Sequence, residues 1–135
     1  MIEYKLYTET NFEFWGYAGW FFASRHVEKE IGAKWHSDDN MYWILALTNN
    51  RCVGISGIEN KKNCAFFRNS YVLPEYRKMG VYTNFIKMRF DVAKKWGKTK
   101  CTITCTDMSK PIALKLGFME TGKRGHYTSM VCYIQ

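Results

Sequence analysis

The stretch Val72-Leu73-Pro74-Glu75-Tyr76-Arg77-Lys78-Met79-Gly80-Val81-Tyr82 decides how this chain is read. It joins a strand-like segment to a helix-like one. Pro74 has no N–H to give a ladder and ends the strand. Gly80 lets the backbone bend or come close to a ligand. The helix that follows presents unsatisfied N–H groups and the positive end of its dipole. Strand, glycine turn and helix N-terminus together make a phosphate cradle. That arrangement predicts a phosphorylated ligand and an enzyme.

Upstream, Ala65 to Leu73 reads as the third strand of a meander, after Met41 to Thr48 and Arg51 to Ile58. Asn49-Asn50 and residues 59–63 are the turns between them. Ile2 to Thr8 is a first strand, and Thr10-Asn11-Phe12-Glu13 is a capping-box pattern that starts a helix near Asn11. Phe12, Trp15, Gly19 and Ala23 form its apolar stripe, while Phe14, Tyr17 and Phe21 point elsewhere. Ser24 to Ile31 predicts a second short helix that stops at Gly32, and Ala33 to Asn40 a polar loop.

Downstream, Tyr82 to Lys95 has helical spacing, with Phe85, Ile86, Met88, Arg89, Val92, Ala93 and Trp96, and Gly97 stops it. Thr99 to Thr104 is a buried strand. Ser109 caps a short helix with Pro111 in its first turn, ended by Gly117. Phe118 to Thr121 and Tyr127 to Ile134 are strands joined by Gly122-Lys123-Arg124-Gly125. The order is β-α-α-β-β-β-α-β-α-β-β, and 135 residues make one domain, 1–135.

This order resembles the GNAT acetyltransferase superfamily. The resemblance rests on the coenzyme A motif R/Q-x-x-G-x-G/A after V-x-P, here Val72-x-Pro74 and Arg77-x-x-Gly80-x-Tyr82. It rests also on the short helix ending Lys115-Leu116-Gly117-Phe118, and it covers residues 1–134. The fold it implies is α+β. A mixed, mostly antiparallel central sheet of about seven strands is flanked by about four helices and splayed after the fourth strand.

The activity it implies is acetyl-CoA-dependent N-acetylation, in which an amine attacks the thioester directly. Acetyl-CoA or another acyl-CoA is the cosubstrate, and no metal is expected. The cofactor-binding residues implied are Val72, Arg77, Lys78, Met79, Gly80, Val81, Tyr82 and Thr83, with backbone N–H groups from Lys78 to Tyr82 on the pyrophosphate. Three positions depart from the pattern. Tyr82 stands where Gly or Ala is usual. Ala113 takes the place of the usual acid tyrosine, and Phe66 that of the base glutamate some members carry. The usual acid and base do not carry over.

Other residues are candidates for those roles. Asp107, after the fifth strand, binds or deprotonates an amine, or caps the next helix. Tyr127 or Tyr71 replaces the missing acid, or is a packed tyrosine. His26 and His36 offer a base with ordinary affinity near neutrality, or lie on the surface. Thus Asp107, Tyr127 and His26 are the catalytic candidates. Cys105 as a nucleophile has no activating neighbour in sequence.

The net charge of +8 is uneven: residues 1–60 carry five basic and eight acidic side chains, residues 61–135 fifteen and four. That basic half suits an anionic cofactor or a nucleic acid. The family it resembles includes small basic modifiers of aminoacyl-tRNA and of DNA bases, so one alternative function is a GNAT-like modifier of nucleic acid. Ala113, Phe66 and Tyr82 lean toward another, a CoA-binding module without catalysis. A solvated surface is the plainer reading, since Lys94, Lys95, Lys98 and Lys100 surround a helix end where cations suit the dipole. Five cysteines, with no C-x-x-C, fit reduced thiols in a cytoplasmic protein. Glu3, Lys5 and Glu9 argue against a signal peptide, and the run Trp15 to Ala23 is too short to span a bilayer. No membrane partner is expected. The fold that the resemblance implies often dimerises, sometimes through its last strands, and Tyr127 to Ile134 is an exposed edge unless paired, so a homodimer is open.

Overall fold

The computed structural model describes residues 1–32 and 35–134. Its strands are β1 (Glu3–Thr8), β2 (Met41–Thr48), β3 (Arg51–Asn60), β4 (Ala65–Val72), β5 (Lys100–Cys105), β6 (Met119–Arg124) and β7 (Tyr127–Tyr133). Its helices are α1 (Phe12–Ala23), α2 (Arg25–Ile31), α3 (Val81–Lys95) and α4 (Lys110–Lys115), with a 3₁₀ turn at Pro74–Tyr76. The fold is the expected α+β one. The element order matches the sequence reading, apart from that turn and shifts of a residue or two at most ends. The expected loop over residues 33–40 includes residues 33 and 34, which lie outside the described residues.

The seven strands run β1-β2-β3-β4-β5-β7-β6 across one sheet. β1–β2, β5–β7 and β6–β7 are antiparallel, and β4–β5 is parallel. The β4–β5 ladder pairs only Ala65–Phe67 with Cys101–Ile103. β7 lies between β5 and β6, so it is paired on both sides and the edge strand at this end of the sheet is β6. A bulge between Glu120 and Gly122, and six exposed residues, keep that edge unsuited to pairing. The turn expected at Gly122 to Gly125 begins later, because β6 runs on to Arg124.

The chain sorts into two compact units, Met1–Gly57 with Asn69–Tyr82, and Ile58–Arg68 with Thr83–Gln135. In the first, Asn11 caps α1 by accepting from Glu13 N and Phe14 N. Phe14, Ala18 and Phe21 are the buried face of α1, and Phe12 is 93% exposed. The expected stripe of Phe12, Trp15, Gly19 and Ala23 is therefore wrong. α1 is apolar nearly all round, so its own periodicity cannot choose a face. Its partners choose: Phe14 lies 6.0 Å from Trp43 and 6.1 Å from Tyr7, and Phe21 lies 6.0 Å from Tyr71. Gly57 belongs to the same core, since a Cβ there would stand 2.8 Å from the Trp43 ring.

The second unit packs Phe67, Phe90 and Phe118 with centroids 5.4–5.6 Å apart. Arg89 is fully buried beside them. Its Nε donates to Phe85 O at 3.3 Å, its Nη1 to Arg68 O at 3.2 Å, and its guanidinium lies 4.6 Å over Phe67. Arg68 is the first β4 residue beyond the three-pair ladder with β5, so a charged helix side chain takes up the carbonyl at the point where that ladder ends. Cys101 and Cys105 are fully buried residues of β5 that form no disulfide, and burial pushes the Cys101 thiol up to about 12.

Candidate functional site

The loop after β4 is built by three local devices. Leu73 N donates to Val53 O at 2.9 Å, fixing the strand end against β3. Pro74 opens the 3₁₀ turn, which closes through Arg77 N donating to Pro74 O. Lys78 and Gly80 then take left-handed backbone, at φ 64° and φ 80°. Gly80 does so without cost, whereas Lys78 holds a conformation that L-residues other than Asn or Asp seldom adopt. A Cβ at Gly80 would meet nothing within 4 Å, and Lys78, Met79 and Gly80 are all exposed. α3 begins at once with Val81 and has no acidic residue in its first turn. Its leading N–H groups, with those of the loop, form a concentration of donors and positive dipole that suits an anion.

The side chain of Arg77 has another task. Nε donates to Val72 O at 2.9 Å, Nη2 donates to Glu30 Oε2 at 2.6 Å, and the guanidinium lies 5.2 Å over the Tyr71 ring. His26 Nε2 lies 3.3 Å from Glu30 Oε1, one helical turn away on α2. Val72, Arg77 and His26, nominated separately from sequence, are thus brought together by Glu30, which was not. The hydrogen bond from Arg77 holds the Glu30 carboxyl below its ordinary value, and burial, with Glu30 beside it, raises the Tyr71 hydroxyl. Only the spacing of His26 and Glu30 on one helix face hinted at this. Nothing in the sequence pairs Glu30 with a loop residue 47 positions on.

The pH dependence of this link has a definite sign. A carboxyl held down in the folded state stabilises the fold above its ordinary value of 4.5, and that contribution is lost as pH falls through the folded-state value. Glu30→Gln is expected to lower Tm at neutral pH, and the gap to wild type should close at acid pH, once the folded-state carboxyl is protonated. Thermal melts of both chains at the two pH values check this, and a gap independent of pH would refute it.

In the other unit, Asp107 follows β5 in an exposed turn, and Tyr127 opens β7, also exposed. The β5–β7 ladder closes at Cys105 with Thr128, so both candidates stand at the same end of it. Ser109 occupies the cap position of α4 as expected, yet its Oγ turns back to accept from Thr106 N at 3.1 Å instead of bonding the helix. Its αR backbone, at φ −91° and ψ −19°, points the hydroxyl that way. His36 lies 3.1 Å from Asp38. Among the described residues no group of three His, Cys, Asp or Glu could hold a metal ion. No helix of the described residues is long and apolar enough to cross a membrane.

Comparison with known proteins agrees on the architecture. A model of the Acetyltransferase (GNAT) family matches residues 4–118. ElaA of Escherichia coli superposes with a TM-score of 0.80 at 14% identity, over 98% of this chain and 99% of that one. The ribosomal-protein-S18-alanine N-acetyltransferase of Escherichia coli gives 0.76 at 14% identity, over 100% and 95%. The PaiA N-acetyltransferase of Thermoplasma acidophilum, in complex with coenzyme A, gives 0.70 at 16% identity, over 98% and 99%. No curated protein matches by sequence.

Proposed function

The chain belongs to the GNAT acetyltransferase family, and from that membership we propose that it works as one domain that transfers an acetyl group from acetyl-CoA, or another acyl group from its CoA thioester, to an amine. The observation that carries this reading is the left-handed Gly80 opening directly into a helix whose first turn holds no carboxylate. The residues present fit the ligand. Backbone N–H groups of Lys78, Met79, Gly80, Val81, Tyr82 and Thr83 hold the pyrophosphate, and the Lys78 ammonium adds charge. Arg77 works one step back. It pins the loop to Val72 and to α2, so the donors are in place before the ligand arrives.

The cosubstrate supplies an activated thioester. The amine nitrogen forms the new C–N bond, the C–S bond breaks, one proton leaves the nitrogen and one returns to the sulfur. Asp107 holds the incoming amine and Tyr127 returns the proton to the thiolate; their shared end of the β5–β7 ladder supports that division. In the first unit His26 is the candidate base, and the neighbouring Glu30 orients its ring. Free cysteines support a cytoplasmic setting.

Isothermal titration with acetyl-CoA and with CoA tests the reading. Binding of both is expected, with thiol release when an amine panel is added. No heat from either ligand up to about millimolar concentration would sink it. Binding without thiol release would instead select a CoA-binding module without catalysis. That second reading is favoured by Ala113, buried where the acid tyrosine would stand, and by Phe66, whose ring lies 4.6 Å below Lys61 Nζ.

A further inference from the structure

The second unit carries thirteen Lys and Arg against four Asp and Glu. Two of those acids are engaged, Glu59 with Arg68 at 3.4 Å and Glu120 with Lys110 at 2.8 Å. Six lysines gather at one end of this unit. Lys94 and Lys95 form the last turn of α3, and Lys98 follows through its N–H to Ala93 O. Lys98 Nζ donates to Lys61 O at 2.6 Å and to Lys62 O at 3.3 Å, which brings the β3–β4 turn against the helix end. Lys100 opens β5 beside them. None of the six makes an ion pair among the described residues. The helix dipole accounts for Lys94 and Lys95 but not for the turn lysines.

The adjoining sheet face makes this more than a charged end. Along β5, Cys101, Ile103 and Cys105 are buried, while Lys100, Thr102 and Thr104 turn to the other side. Cross-strand register sets Lys100 opposite Tyr133, Phe66 opposite Thr102, and Thr104 opposite Ser129. These residues line a shallow concavity of about 370 Å³. Tyr133 is 65% exposed. Phe66 carries Lys61 at 4.6 Å and Arg68 at 5.2 Å from its ring centroid, which fixes two cations at the rim.

We propose that this lysine end and the sheet face beside it bind a single strand of nucleic acid, its phosphates on the lysines and a base stacked on Tyr133. Charge decides against a second copy of the chain, because an isologous contact would set the lysines of one protomer against those of the other. The hydroxyl-rich face decides against a lipid surface, which would take apolar side chains beside the lysines. Stacking on an exposed ring flanked by cations is how sequence-tolerant single-strand binding is achieved. The proposal does not rest on the acyl-CoA reading.

The test is fluorescence anisotropy of the whole chain with a labelled single-stranded RNA of about 16 nucleotides, titrated at several salt concentrations. Wild type should bind with a dissociation constant no weaker than about 0.1 mM, and log affinity should fall linearly with log salt. Lys62→Gln/Lys94→Gln/Lys95→Gln should reduce that slope by about 2, at about 0.7 for each phosphate no longer neutralised. Tyr133→Ala should weaken binding about tenfold and leave the slope unchanged. Circular dichroism confirms that both variants fold. Absence of binding, an unchanged slope in the triple variant, equal affinity for the corresponding duplex, or preference for phosphatidylserine vesicles over RNA would each overturn the proposal.

Discussion

Gly80→Glu is expected to weaken acetyl-CoA binding more than about 100-fold, and two physical effects contribute. The first is backbone strain. Gly80 sits at φ 80°, where any Cβ costs roughly 1–2 kcal/mol, so the free loop of the variant relaxes and must regain that conformation to bind. The second is charge. A carboxylate about 5 Å from a phosphate, at an effective dielectric near 20, is repelled by about 3 kcal/mol. Steric clash within the protein does not contribute, because a Cβ at this position meets no protein atom within 4 Å. Gly80→Lys separates the two effects. It carries the same strain with the opposite charge, so its affinity should stay within about tenfold of wild type. Isothermal titration of the three chains decides the matter. Equal affinities for wild type and the glutamate variant would remove the phosphate from this loop.

Arg89→Ala should lower stability by about 3 kcal/mol, the usual result of emptying a large buried site and stripping a buried carbonyl of its donor. For a chain of this size that corresponds to a Tm loss of roughly 10 °C. Arg89→Met should recover about half, since it restores volume without the hydrogen bonds. Urea and thermal denaturation measure both, and a loss below about 0.5 kcal/mol for the alanine variant would show that the guanidinium adds nothing. Arg89 also takes up the Arg68 carbonyl where the β4–β5 ladder stops. Urea midpoints that fall without a change in m would place the effect on stability rather than on compactness.

Both residues show how far local pattern reaches. Gly80 is legible because a glycine between a proline-ended strand and a helix has few other uses. Arg89 is not. Its position on α3 marks an inward face, as the helical spacing indicates, but the fact that a charge is tolerated there depends on Phe67 and the Arg68 carbonyl, 21 residues away. α1 is the opposite case. Its start near Asn11 follows from local chemistry and agrees with the sequence, although Asn11 and not Thr10 of the capping-box pattern is the cap; its buried face does not agree, because both sides of the helix are apolar. Whether β7 is an edge is open from sequence for a third reason. Strand order within a sheet is a long-range property, and the pairing of β7 with β5 places it inside.

The sequence by itself determined the order of elements, the break after Val72, the glycine at the head of α3 and the family. These depend on missing N–H groups, positive φ and periodicity, all of which act over a few residues. Tertiary structure alone decided that Arg77 is joined to Glu30 and the carbonyl of Val72, that Phe14 rather than Phe12 enters the core, and that the turn lysines meet the end of α3. Those outcomes depend on which distant groups come within hydrogen-bond or van der Waals range, and such distances are set only when the whole sheet is assembled.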